Sequence, residues 1–156
     1  ASREGMSVMA TLTRSIIIDA PVEEVFDYAL DIRNLWAIPD VGLADVTLTP
    51  DGVGSQARLF THFLGFHMSM GLEYLEVVRP EKIVAKVTSF SPDRPMWTFT
   101  FEPAGSGTKL TVLGEWHIDV PAVGKPMEDM MAGSHKDFVQ TMLTNVKAGA
   151  EKAVAA

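Results

Sequence analysis

The chain has 156 residues, 47% of them hydrophobic and 21% charged, which suits one globular domain and excludes an intrinsically disordered segment. Thirteen Lys and Arg against twenty Asp and Glu leave a net charge of -7, so nucleic acid and anionic membrane surfaces, which reward basic clusters, are not expected partners. No cysteine is present, which excludes a disulfide framework and a thiolate zinc site.

No apolar run approaches the ~20 residues that a membrane-crossing helix needs, and no secretory-leader pattern opens the chain. The expectation is a cytoplasmic protein in which residues 1–156 form a single domain, with 1–7 outside its ordered part. Nine methionines are the least ordinary feature of the composition. Methionine fills irregular space and tolerates variable neighbours, so these side chains suggest either a loosely specified core or the lining of something adaptable.

Residues 8–19 are rich in Thr, Val and Ile and predict a strand. Pro21 then ends any ladder but suits a first helical turn, and Glu23 and Glu24 sit where a helix dipole favours acids. Val22, Val25, Phe26, Ala29 and Leu30 give the apolar stripe of a short helix from Pro21 to about Leu30. "DIRNLWAIPD" predicts a second short helix that stops before Pro39. The period then falls to two. Strands are expected at 43–50, 55–65, 66–78, 82–90, 96–103 and 107–118, separated by turn signals at Pro50–Gly54, Gly65, Arg79–Glu81, Ser91–Pro95 and Ala104–Gly107. Such short connections mean antiparallel pairing. From Pro126 the helical period returns in Met127, Met130, Met131, Phe138, Met142, Leu143 and Val146, with a break or restart expected at Gly133–Ser134.

One strand, two short helices, six strands and one long helix make an α+β helix-grip fold. In it a curved seven-stranded antiparallel sheet wraps the C-terminal helix.

Four stretches resemble successive landmarks of one group: "IDAPVEEVFDYALDIRNLWAIPDV", "PDGVGSQARL", "LEVVRPEKI" and "FEPAGSGTKLTVLGEW". Their order is similar to that of the START-like, Bet v 1-like SRPBCC superfamily, and within it the polyketide cyclase/dehydrase-like proteins. The resemblance implies an internal hydrophobic cavity, a tunnel between sheet and helix. It implies no catalytic motif, since the group shares none.

Alternation assigns faces. Trp97, Phe99 and Phe101 share one side of their strand, and Leu110, Val112, Gly114, Trp116 and Ile118 one side of the next; both sets are expected inward. Met68, Met70, Leu72 and Tyr74 are expected inward on the strand at 66–78, leaving His67 and Glu73 outside. A reversed register would make those two an acid–base pair in the cavity, as a cyclase or dehydratase requires. Phe60 leaves the division between Arg58/His62 and Leu59/Thr61/Phe63 open. Trp36 falls near the expected tunnel mouth, and Met131, His135, Phe138 and Met142 lie on or beside the helical stripe. Gly71 and Gly114 would leave room in mid-strand.

The expected ligand contacts are therefore Trp36, Met68, Met70, Leu72, Tyr74, Trp97, Phe99, Val112, Trp116, Met131, Phe138 and Met142. Catalytic candidates are His62, His67, Glu73, Arg58 and His135. No metal-ligand spacing joins the histidines, "GVGS" is no phosphate loop, and no cofactor is expected. Three readings follow. The first is binding of a hydrophobic small molecule, such as a lipid, isoprenoid or polyketide-like aromatic. The second is a polyketide cyclase/dehydratase-type enzyme, and the third an interaction protein with a vestigial cavity. A homodimer stays open.

Overall fold

The computed structural model describes residues 7–38, 41–63, 66–88 and 95–155; within these, the side chains of 7–9, 61–63, 66, 68 and 117–135 lie outside the description. Ten elements follow one another: β1 (Ser7–Ile18), α1 (Val22–Leu30), α2 (Ile32–Leu35), β2 (Gly42–Thr47), β3 (Gln56–Phe63), β4 (Phe66–Val78), β5 (Lys82–Thr88), β6 (Met96–Ala104), β7 (Gly107–Asp119) and α3 (Val120–Ala155).

The seven strands pair antiparallel in the order β1-β7-β6-β5-β4-β3-β2. Strands β2 to β7 are thus a simple meander, and β1 returns to close against β7. Val25, Phe26 and Ala29 of α1, Ile32 and Leu35 of α2, and Val139, Met142, Leu143 and Val146 of α3 form one buried cluster with the inner face of the sheet.

Local chemistry sets each junction. Pro21 stands just outside α1, at its cap position rather than in its first turn, and its carbonyl accepts from the N–H groups of Glu24 and Val25 at 3.1 and 3.0 Å. Asp31 ends α1 and caps α2, accepting from the Arg33 N–H at 2.9 Å. Two irregularities were not legible in the apolar spacing. The β2–β3 register shifts between Ala44 and Thr47, where Asp45 takes a positive φ of 53°. The β4–β5 register shifts between Tyr74 and Glu76, which leaves Leu75 exposed.

The last helix differs most from expectation. It starts at Val120 rather than Pro126 and runs 36 residues without a break at Gly133 or a restart at Ser134. A single glycine costs a helix about 1 kcal/mol, too little to break this one. The C-terminal half is pinned at several points: Lys147 Nζ donates to the Ile17 carbonyl at 2.9 Å, Glu151 accepts from the Asp19 N–H at 2.8 Å, and Asn145 Nδ2 donates to the Ala37 carbonyl at 2.9 Å.

Candidate functional site

The inner face of the sheet carries Leu59 on β3, Met70, Leu72 and Tyr74 on β4, Ile83, Ala85 and Val87 on β5, Trp97, Phe99 and Phe101 on β6, and Leu110, Val112 and Trp116 on β7. Apart from Met70, which is partly buried, each of these is buried. Opposite them stand Val139, Met142, Leu143 and Val146 of α3, with Phe138 half-buried beside them.

At its centre is a group of aromatic rings. Trp36, delivered by the end of α2, meets Phe99 at 5.9 Å and Trp97 at 6.5 Å, both edge to face at 80°. Phe138 lies 5.9 Å from each of Trp36 and Trp97, and Trp97 stacks on Trp116 at 6.5 Å. Such pairs prefer offset and edge-on geometry because the ring face is negative and the edge positive.

Gly114 makes room for this group rather than for a ligand. A Cβ there would collide with the Trp97 indole. Gly71 is a second departure from expectation, because it belongs to the outer face. There its missing side chain admits the Thr88 hydroxyl. Neither glycine opens interior space.

Polar atoms on the described inner face are few. The Tyr74 hydroxyl donates to the Ala29 carbonyl at 3.1 Å, which ties β4 to α1. Burial pushes the Tyr74 phenol well above its ordinary pKa, and the nearby Asp31 charge adds to the rise. The Trp36 indole N–H lies close enough to this hydroxyl to oppose the rise, yet it falls outside hydrogen-bond geometry. A buried phenol held protonated can donate or orient but is a poor base near neutral pH.

The three catalytic candidates whose side chains are described fall elsewhere. Arg58, His67 and Glu73 occupy the outer face, in alternation with the inward Leu59, Met70, Leu72 and Tyr74. Arg58 is exposed and reaches Asp45 at 3.7 Å. His67 is exposed, and its register partner is His62. A surface pocket of about 340 Å³ lies on this outer side among Asp45, Gln56, Arg58, Ser69, Gly71, Glu73 and Thr88. The side chains of His62, Met68, Met131 and His135 lie outside the described residues. Among the described residues no group of three His, Asp or Glu could hold a metal ion, and no helix is long and apolar enough to cross a membrane.

Arg14 is absent from the candidates above, although alternation along β1 fixes its place. Counting back by twos from the buried Ile18 through Ile16 puts Arg14 and Leu12 on the inner face, and Arg14 is the register partner of the buried Val112.

A seven-stranded antiparallel sheet gripping a long C-terminal helix over an apolar, aromatic interior is the Bet v 1-like, START-like class of protein. The chain belongs to the polyketide cyclase / dehydrase and lipid transport family, whose model matches residues 9–151. No curated protein matches the sequence. Among solved structures it is similar to the di-domain aromatase/cyclase StfQ from the steffimycin biosynthetic pathway, with 17% identity over 99% of this chain and 54% of that one and a TM-score of 0.77. The Zhui aromatase/cyclase from Streptomyces sp. R1128 shares 16% identity over 94% of this chain and 96% of its own, with a TM-score of 0.73. Ara h 8.0201 shares 14% over 92% and 98%, with a TM-score of 0.69. At such identities the likeness shows the fold.

Proposed function

We propose that the protein binds a hydrophobic small molecule, a lipid, isoprenoid or polyketide-like aromatic, between the sheet and α3. The observation that carries this reading is the division of chemistry between the two faces. The described inner side is mostly apolar and aromatic, with the Tyr74 and Thr108 hydroxyls, the indole N–H groups and, at the β1 edge, Arg14 as its sparse polar points. Ligand pockets for apolar molecules have this composition, a greasy wall with a few placed donors. Arg58, His67 and Glu73, the catalytic candidates whose side chains are described, stand on the other side of the sheet. The family description, which names lipid transport beside cyclase and dehydrase activity, supports the same reading.

Phe138 is the side chain through which an apolar guest would be admitted. It is half-buried, it sits on the helix, and it touches both Trp36 and Trp97. Its displacement would expose the indole faces to the guest.

Native mass spectrometry of protein purified from its host tests the proposal. A co-purified apolar molecule, together with binding of the neutral probe N-phenyl-1-naphthylamine that Phe138→Trp weakens, is the expected result. Protein that carries nothing and leaves the probe in water overturns it.

A further inference from the structure

Arg14 stands apart from everything around it. Its neighbours on the same face of β1 are the partly buried Leu12 and Ile16, both packed on the core, and its cross-strand partner Val112 is fully buried. It is the one charged side chain on the described inner face of the sheet, in a chain of net charge -7. Its guanidinium donates to the Thr13 carbonyl at 2.8 Å, and no ion pair joins it to a carboxylate among the described residues. The partly buried side chain lies on an edge strand against which α3 packs. Its apolar stem therefore follows the core while its head reaches the rim, as long cationic side chains do at a boundary between oil and water.

Resting on the binding reading above, we propose that Arg14 is the headgroup anchor of the site and that the ligand is an amphiphile ending in a carboxylate. Its apolar body would lie along the inner face and its anionic end at the β1 edge. One N–H of the guanidinium is committed to Thr13, and the remaining donors form a planar fork of the shape a carboxylate accepts. A single cation matches a single negative charge. Charge-assisted hydrogen bonds are stronger than neutral ones, so the anchor selects acids over alcohols of equal length.

The test uses dodecanoate, 1-dodecanol and dodecylamine below their aggregation limits, with binding followed through the fluorescence of Trp36, Trp97 and Trp116. The wild type should bind dodecanoate about tenfold more tightly than dodecanol, with dodecylamine weakest. Arg14→Gln should erase that preference, weakening dodecanoate far more than dodecanol. Arg14→Lys should restore part of it, and Arg58→Gln, on the outer face, should leave it intact. A preference for dodecanoate that survives in Arg14→Gln overturns the inference while leaving the binding reading standing. Equal affinity for acid and alcohol in the wild type does the same. Failure of all three probes to bind overturns both.

Discussion

The Trp97 indole lies over Gly114, its register partner across the β6–β7 ladder, in the space where any other residue would carry a Cβ. A strand glycine ordinarily weakens a sheet by offering nothing to pack. Here the ring covers the bare backbone and goes on to contact Trp36, Trp116 and Phe138. Gly114→Ala should therefore destabilise the fold by about 1–3 kcal/mol through overpacking, despite the better strand propensity of alanine. Urea unfolding measures the loss. Near-ultraviolet circular dichroism should change with it, because the indoles must shift. An alanine variant as stable as the wild type would mean that Trp97 moves aside at no cost.

Phe26 and Phe138 offer a contrast of the same ring in two settings. Phe26 is fully buried and meets Phe101 edge to face at 5.2 Å, 73° between planes. Phe138 is only half-buried. Phe26→Ala should cost about 3–5 kcal/mol, and Phe138→Ala distinctly less, about 1–3 kcal/mol, since part of its ring already faces away from the core. Equal losses in urea unfolding would place Phe138 in solid core and remove it as the admitting side chain of the proposed site.

Much of the architecture was legible in periodicity. The change from spacing of three and four to spacing of two marks the passage from α1 and α2 to the meander, and the inward set on β6 and β7 follows from simple alternation. What periodicity could not show is where it slips. The bulges at Asp45 and Leu75 depend on pairing between strands, which a single strand does not encode. Gly133 read as a break because local propensity was all that could be weighed, while α3 is held by distant contacts such as Lys147 with Ile17. Gly114 read as empty space for a related reason: a missing side chain says nothing about which neighbour fills the gap. Whether Arg58 points in or out was undecidable because Phe60, exposed at 44%, imitates an inward residue on the outer face.

Tyr74 links the site to alkaline stability. Its phenol pKa is raised in the folded state by burial, against an unfolded value of about 10. The sign follows from linkage: this group's contribution is fully present below about pH 10 and falls as pH climbs above it, because the unfolded chain releases the proton first. Tyr74→Phe should flatten the alkaline limb of the stability curve. It should also cost about 1–3 kcal/mol at neutral pH, because the Ala29 carbonyl loses its buried donor. Unfolding followed from pH 7 to 11.5 checks both effects. A variant with the same alkaline slope as the wild type would show that Tyr74 is already in contact with water.

Asp31 acts at the acid end with the opposite sign. The Arg33 guanidinium grips its carboxylate in a fork, with contacts of 2.7 and 3.0 Å, and its backbone N–H adds a third bond. Together these hold the Asp31 carboxyl below its ordinary pKa, outweighing the opposing effect of burial. A depressed carboxylate stabilises the fold above the unfolded value of about 4 and surrenders that contribution as pH falls through the lower folded value. Acid should thus loosen α2 and, with it, the support of Trp36 four residues after the helix begins. Asp31→Asn keeps a capping side chain but removes the charge, so the variant should be less stable at pH 7 and should differ less from the wild type at pH 3. Tryptophan emission against pH, compared between the two proteins, gives the readout. Parallel curves from pH 7 to 3 would mean that the fork carries no net stability and that α2 is held by the burial of Ile32 and Leu35 alone.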